Sequence, residues 1–476
     1  IFTGLLGDLF LGVNPPRKRD MDFEKVIEEC TEEMGLTVEA DFILRVVQLS
    51  ELMAIRHCIF LMGVTGGGRT EAYRVLAKAI EKGVNLPDAQ IVNDYLRSCN
   101  KTKVVMRDIN PKSITTQEFY GYVNMSTREW KDGMMSYYMR ELATIKDEDP
   151  KWIILDGDLD ANWIESMNST MDDNRLLTLP SNERIRLLPH MKLIFEIRNL
   201  KFATPATATR AGIVYVSEKM QWHNMMTSWC KRVVPPYAAE VKFKNPENPS
   251  IWIMELIEKY VKTTIFEMKK DFQHITPLET MNFCTTLTNI LTGMLKKENL
   301  NAKADQAAFE TYFVLAMVWA FGGGCCWMDG TDYRKKFNNW WRKTWSTIKF
   351  PNQGTVFDYY INPKTGKFES WANMLKAEGD VDFDSREMSM STVFVPTSET
   401  SSFMYFLDMM LKLRAPIMFV GPAGTGKTTL VKGKLAMQNP ESVLSLTINF
   451  NYFTDVLSFQ KQLESVLEKK SGLNYG

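Results

Sequence analysis

Histidine is scarce in these 476 residues. Its four occurrences, His57, His190, His223 and His274, are scattered and none stands in an HExxH pair. That excludes a helix-borne zinc hydrolase site, and each histidine reads as structural. The seven cysteines (30, 58, 99, 230, 284, 325 and 326) are odd in number and form no CxxC pair. Their pattern argues against a disulfide frame or zinc cluster and for reduced thiols in the cytosol. Neither sign of charge dominates, since 57 basic residues face 57 acidic ones and the pI is about 7.1. Such a balance offers no bulk grip on nucleic acid or an anionic membrane, and neither is expected as a partner. The N-terminus lacks the basic, apolar and small-residue order of a signal peptide. One uncharged run, Thr311 to Met328, reaches the length at which a membrane helix must be considered. Gly322-Gly323-Gly324 and Cys325-Cys326 leave it only about three strongly apolar turns, which predicts a buried helix ending at glycines.

What is present is ordinary globular material, 45% hydrophobic and 24% charged, with length for roughly two to four domains. A repeat organises it. LMAIRHCIFLMG at 52–63 and MLKLRAPIMFVG at 410–421 each read as helix end, turn, buried strand and glycine. Arg56 and Arg414 stand seven residues before Gly63 and Gly421, and the two copies are offset by 358 residues (421 minus 63). Each glycine opens a phosphate-loop pattern that runs into a helix. A second loop so near Gly476 predicts that the sequence is a piece of a longer chain.

Residues 1–25, with Pro15-Pro16-Arg17-Lys18-Arg19, read as an incoming linker, and helical pattern covers about 22–56. Strands are expected at Cys58–Met62, Lys103–Asp108, Trp152–Leu155, Lys192–Ile197 and Gly212–Val216, alternating with helices such as Thr70–Lys82 and Gly133–Ala143. Alternation of this kind predicts an α/β subdomain at 26–217, with a parallel sheet flanked by helices. Helical periodicity then takes over and predicts an all-α subdomain at 218–349, with helices at Ile251–Met268, Leu278–Lys297, Asp305–Phe321 and Tyr333–Thr347. Trp340, Trp341 and Trp345 lie at helical spacing and read as core. At 350–392 a β-hairpin with a loop near Asn362–Gly366 leads into a second α/β subdomain at 393–476, with a buried strand at Ile417–Val420.

Gly421, Pro422, Ala423, Gly424, Thr425, Gly426, Lys427 and Thr428 fit GxxxxGK[ST] completely, between a strand and a helix from Thr429 onward. Glycines let backbone N–H groups turn inward around phosphate oxygens, and the helix N-terminus adds its positive end. Lys427 would reach the β- and γ-phosphates and Thr428 the Mg²⁺ of bound ATP or ADP. Gly63, Val64, Thr65, Gly66, Gly67, Gly68, Arg69 and Thr70 keep the frame with Arg in the lysine position, which retains the charge on a bulkier planar fork. Two readings are open here: nucleotide held by the backbone and Thr70, or an empty structural loop. Asp156 ends an apolar strand, where a Mg²⁺-associated carboxylate is expected, but Gly157 occupies the place of the water-orienting glutamate and Asp158 is shorter and one residue on. The pattern predicts nucleotide held without turnover. Asn199 follows another buried strand and either meets the γ-phosphate or closes the strand end. Arg210 either serves a neighbouring module's phosphate or forms a surface ion pair.

Together these segments resemble dynein heavy chains. The resemblance is carried by GDLF at 7–10, REWKDG at 128–133, WIILDGDLD at 152–160, WIESMN at 163–168, MDDN at 171–174, NER at 182–184, ATPA at 203–206 and KFPNQGTVFDYY at 349–360. It spans essentially the whole sequence and looks most like the axonemal outer-arm β-type. It implies AAA+ modules of a motor ring: the second module to about residue 349, with its all-α small subdomain, then the hairpin and the start of the third. By resemblance, the second module holds ATP structurally and the third is regulatory and can hydrolyse it. The fragment alone then lacks complete ATPase activity. Gly63–Thr70 match the phosphate loop, Asp156 the Mg²⁺ carboxylate, Asn199 the sensor and Arg210 the arginine finger of the preceding module. Leu36-Thr37 and Phe394-Val395, 26–27 residues before their loops, line adenine pockets by the same resemblance. The implied partners are the other AAA+ modules and, through other parts of the chain, microtubules and dynein-arm subunits, in the cytoskeleton of a cilium or flagellum. A non-motor AAA+ remodelling ATPase and a nucleotide-bound scaffold are the rival readings; the first lacks its pore-loop aromatic signature.

Overall fold

The computed structural model describes residues 20–83, 103–217, 221–378, 395–440, 442–472 and 474–475. The GDLF and Pro15–Arg19 segments of the expected linker lie outside the described residues, as do residues 379–392 between the hairpin and the second loop. The chain divides into two compact units, Ile1–Lys219 and Met220–Gly476.

In the first unit, α1 (Met21–Glu33) begins inside the stretch expected to be linker, where the Asp20 carboxylate accepts the Phe23 N–H at 3.1 Å. The helical pattern of 22–56 is two helices rather than one. Gly35 adopts φ +71 after α1, and α2 (Ala40–Ile55) follows. A left-handed residue stops a right-handed helix and turns the chain. Next come β1 (Cys58–Gly63), α3 (Arg69–Gly83), β2 (Val105–Ile109), α4 (Met134–Thr144), β3 (Lys151–Asp156), β4 (Met191–Ile197), α5 (Pro205–Arg210) and β5 (Gly212–Val216). The strands expected in this unit are all present, shifted by a residue or two at some ends. Every pairing in the order β2-β3-β4-β1-β5 is parallel.

The strands are apolar along their length because both faces of this sheet are covered. Ile59, Leu61, Trp152, Ile154, Ile194 and Val214 pack on one side with α1, α2 and α3. Phe60, Ile153, Leu155, Leu193 and Phe195 pack on the other with Met135, Met139 and Trp163. The alternation of side chains in a strand assigns neighbours to opposite faces. It also places Asp156 and Glu196, register partners at the ends of β3 and β4, on the α3 side.

The second unit begins with α6 (Gln221–Val241), which continues through Pro235 and Pro236 with Val234, Tyr237 and Ala238 buried. The expected helix 251–268 is three segments, Asn248–Leu256, a π-helical turn at Ile257–Val261 and Lys262–Asp271. Then come α7 (Thr280–Met294), α8 (Gln306–Gly322) and α9 (Tyr333–Thr344). Helix α8 is buried without a break from Tyr312 to Gly322 and ends at glycines as expected. Among the described residues no helix is long and apolar enough to cross a membrane.

Trp341 is fully buried, with Trp340 and Trp345 packed against the same core. The hairpin pairs Tyr359–Asn362 with Lys367–Ser370, and α10 (Ser398–Leu413) and α11 (Lys427–Ala436) follow. One expectation fails. Ile417–Val420 form no strand, and Ile417 and Val420 are 40% and 44% exposed. In the first unit β1 is held by β4 and β5, which begin 128 and 149 residues after Gly63 (191 and 212 minus 63). No described residue pairs with 417–420, and a lone apolar segment has no partner for its backbone. The six described cysteines are free thiols, while Cys99 lies outside the described residues.

Candidate functional site

Strand β1 delivers Gly63 to the edge of the first loop, and α3 leaves it at Arg69. Gly66 and Gly68 take φ +76 and +87, and in the second loop Gly424 and Gly426 take φ +78 and +80. These pairs are equivalent under the 358-residue offset. Left-handed residues at those two places turn N–H groups toward one centre, which is the geometry an anion requires. The helices start alike as well: the Gly68 carbonyl accepts the Ala72 N–H and the Gly426 carbonyl the Leu430 N–H, both at 2.9 Å. Gly63 is fixed by crowding, since a Cβ there would lie 2.6 Å from the Val216 carbonyl oxygen of β5.

The loop cations fold back in the same way. Arg69 Nη1 donates to the Gly63 carbonyl at 2.9 Å, and Lys427 Nζ donates to the Gly421 carbonyl at 2.9 Å and the Pro422 carbonyl at 2.5 Å. Their surroundings differ. Arg69 Nε lies 3.4 Å from Glu196 Oε1, in a pair whose side chains are 10% and 6% exposed. The Thr70 hydroxyl lies 2.8 and 3.0 Å from the two oxygens of the same carboxylate. Burial pushes the Glu196 carboxyl above its ordinary range, against the opposing pull of Thr70 and Arg69. Glu196 was not singled out from the sequence. A lone acid in the apolar run MKLIFEI carries no motif, and only the pairing of β4 between β3 and β1 brings it under the loop.

Asp156 is exposed at the end of β3, beside Glu196. Gly157 donates its N–H to the Glu196 carbonyl at 3.2 Å, and Asp158 Oδ1 accepts the Arg198 N–H at 2.8 Å. Asn199 Oδ1 accepts the Lys201 N–H at 3.0 Å in a turn after β4. Arg210 pairs through Nε with Asp172 and donates from Nη1 to the Ala206 carbonyl at 2.9 Å. Leu36 and Thr37 follow α1, with Leu36 packed on the α3-side core. A wall of the loop that the sequence did not announce is Phe42 of α2, whose ring would lie 3.6 Å from a Cβ at Gly68. In the second unit Val395 is 65% exposed, and Phe394 lies outside the described residues. Pro422, Ala423, Gly424, Thr425, Gly426 and Thr428 are exposed around Lys427, and Thr429 lies in the first turn of α11.

Four family matches tile most of the chain. Residues 1–70 match the hydrolytic ATP binding site of dynein motor region, and residues 58–211 the AAA domain of the dynein-related subfamily. Residues 253–373 match the dynein heavy chain AAA lid domain, and residues 383–476 the P-loop containing dynein motor region. The full chain is 65% identical to the dynein alpha chain of the flagellar outer arm of Chlamydomonas reinhardtii. The chain belongs to the dynein heavy-chain family. It is also 42% identical to human dynein axonemal heavy chain 9 and 41% identical to the ciliary dynein beta chain of Tripneustes gratilla, again over its full length. It spans about 10% of the length of each of these relatives. Outer-arm kinship therefore stands, with an alpha chain at higher identity than the beta chains that the sequence segments suggest. The first loop falls inside the AAA-domain match and the second inside the match to the P-loop containing dynein motor region.

Proposed function

We propose that this segment serves an axonemal outer-arm dynein motor ring. In this reading the first loop holds ATP without turning it over, and the second binds ATP and hydrolyses it in a regulatory role. The observation that supports retention is the acid side of the first site. Gly157 supplies no carboxylate, Asp158 is engaged by the Arg198 N–H, and Arg69 is paired with Glu196. Residues 1–70 match a family described as hydrolytic, but the position in question, Gly157, lies beyond that match. Thr70 and Asp156 are the groups that would hold Mg²⁺ together with phosphate oxygens in the first site, and Thr428 in the second. When bound, the ion supplies neutralising charge to the phosphates. Arg210 is proposed as the cation offered to the preceding module, with Asp172 as its holder. Asn199 is proposed to meet the phosphate end, and Leu36-Thr37 and Phe394-Val395 the adenine.

The same reading assigns the other AAA modules of the heavy chain as partners, with microtubules and arm subunits reached through other parts of the chain, in the axoneme. Photolabelling of the intact motor with a photoreactive ATP analogue, followed by peptide mapping, tests it. Label is expected on peptides of both sites. Label on neither would overturn the proposal.

A further inference from the structure

The two loops share their backbone geometry, and beneath the first lies the carboxylate of Glu196. Lys427 donates to the Gly421 and Pro422 carbonyls and to Thr425 Oγ1 at 3.3 Å, all oxygens of its own loop. Arg69 and Thr70 instead share Glu196. We infer that Glu196 is an internal counter-anion that occupies the phosphate-side partners of the first loop, Arg69 and Thr70, and must yield them when nucleotide enters. The inference rests on the nucleotide reading of this loop and makes Glu196 a positioning residue for it.

Three observations carry it. Glu196 is buried in the central strand pair of the sheet, so its carboxylate is held in place rather than free to swing into solvent. Both of its oxygens lie within hydrogen-bond distance of Thr70 Oγ1, the hydroxyl proposed to meet Mg²⁺. Arg69 Nε is buried without a hydrogen-bond partner, although Glu196 Oε1 lies 3.4 Å away. The guanidinium is therefore neutralised by charge while one of its donors stays unsatisfied, the condition under which a phosphate oxygen is a better partner. An arriving triphosphate also brings negative charge against Glu196 and its neighbour Asp156, and in a low-dielectric site that repulsion is large. Glu196 thus weakens entry at the first loop, and the second loop, which Glu196 does not touch, is the reference within the same motor.

The test is a titration of the photoreactive ATP analogue against the intact motor, read separately on first-site and second-site peptides. Glu196→Gln keeps the shape and removes the charge. It should lower the half-saturating concentration at the first site about tenfold, the change that corresponds to about 1.4 kcal/mol, and leave the second site unmoved. Glu196→Met, of similar length and without a carboxylate, should shift the first site the same way. Limited proteolysis of the first unit at the wild-type rate reports that the variants are folded there. An unchanged or higher half-saturating concentration at the first site would overturn the inference while leaving the nucleotide reading intact. No first-site label in wild type or either variant would overturn both.

Discussion

Gly157→Glu restores the carboxylate missing after Asp156, and the structure limits what it can achieve. A Cβ at Gly157 would lie 3.2 Å from Asn110 Oδ1 and 3.3 Å from Pro111 Cδ. Asn110 is itself engaged: its Oδ1 accepts the Lys112 N–H at 3.0 Å and its carbonyl accepts the Ser113 hydroxyl at 2.8 Å. The turn after β2 must shift by a few tenths of an ångström, at a cost of about 1–2 kcal/mol. The new acid also joins Asp156 and Glu196, raising the local negative charge. A well-placed general base contributes about 10²–10⁴ in rate. Because placement is strained and Arg69 remains paired, we expect a gain below about tenfold in first-site hydrolysis, with a lower melting temperature. Single-turnover hydrolysis of site-mapped nucleotide in the intact motor measures it. A gain of about 10² or more would show that the absent carboxylate alone limits turnover, and would refute the limits assigned to strain at Gly157 and to the Arg69–Glu196 pair.

Lys427→Ala removes the cation of a complete loop and should abolish nucleotide binding at the second site; unchanged affinity in equilibrium binding would sink that assignment. Gly63→Ala forces a Cβ to 2.6 Å from the Val216 carbonyl oxygen. The substitution should destabilise by about 1–3 kcal/mol in thermal unfolding; an unchanged melting temperature would contradict the packing described. Arg210→Ala should slow hydrolysis in the preceding module, within the range of about 10³–10⁵ known for arginine fingers in GTPases, and Arg210→Lys should rescue only in part. Wild-type single-turnover rates would leave Arg210 as the Asp172 ion-pair partner alone. Burial lowers the pKa of His57, whose ring lies 3.0 Å from the Thr170 carbonyl oxygen. Its unfolded form takes up a proton first as pH falls through about 6.5, so stability is full above that value and is lost below it. His57→Gln should flatten this part of the melting-temperature profile between about pH 7.5 and 5; an unchanged slope would assign the loss to other groups.

The sheet could be read from the sequence because its strands are short apolar runs bounded by turns, and both loops because their glycines stand where the backbone must be left-handed. Other features depend on contacts that no local pattern records. Proline in a helix interior removes a backbone donor, yet α6 continues through Pro235 and Pro236 with Val234 and Tyr237 packed in the core. Ile417–Val420 have the composition of a strand, but a strand exists only with a partner, and no described residue pairs with them. Glu196 meets Thr70 across 126 residues of sequence. Phe42 reaches Gly68 only because α2 packs beside α3. Asp158 has the look of a spare acid in the sequence, but the turn after β4 places the Arg198 N–H against it.

The claim that the first loop holds ATP without turnover is tested most directly by the identity of the nucleotide there. The intact motor would be incubated with the photoreactive ATP analogue through many turnovers of the whole ring, irradiated, and the adduct on first-site peptides weighed by mass spectrometry. The account predicts a triphosphate adduct that persists while the surrounding solution is converted to diphosphate. A diphosphate adduct appearing at the first site in step with ring turnover would contradict it.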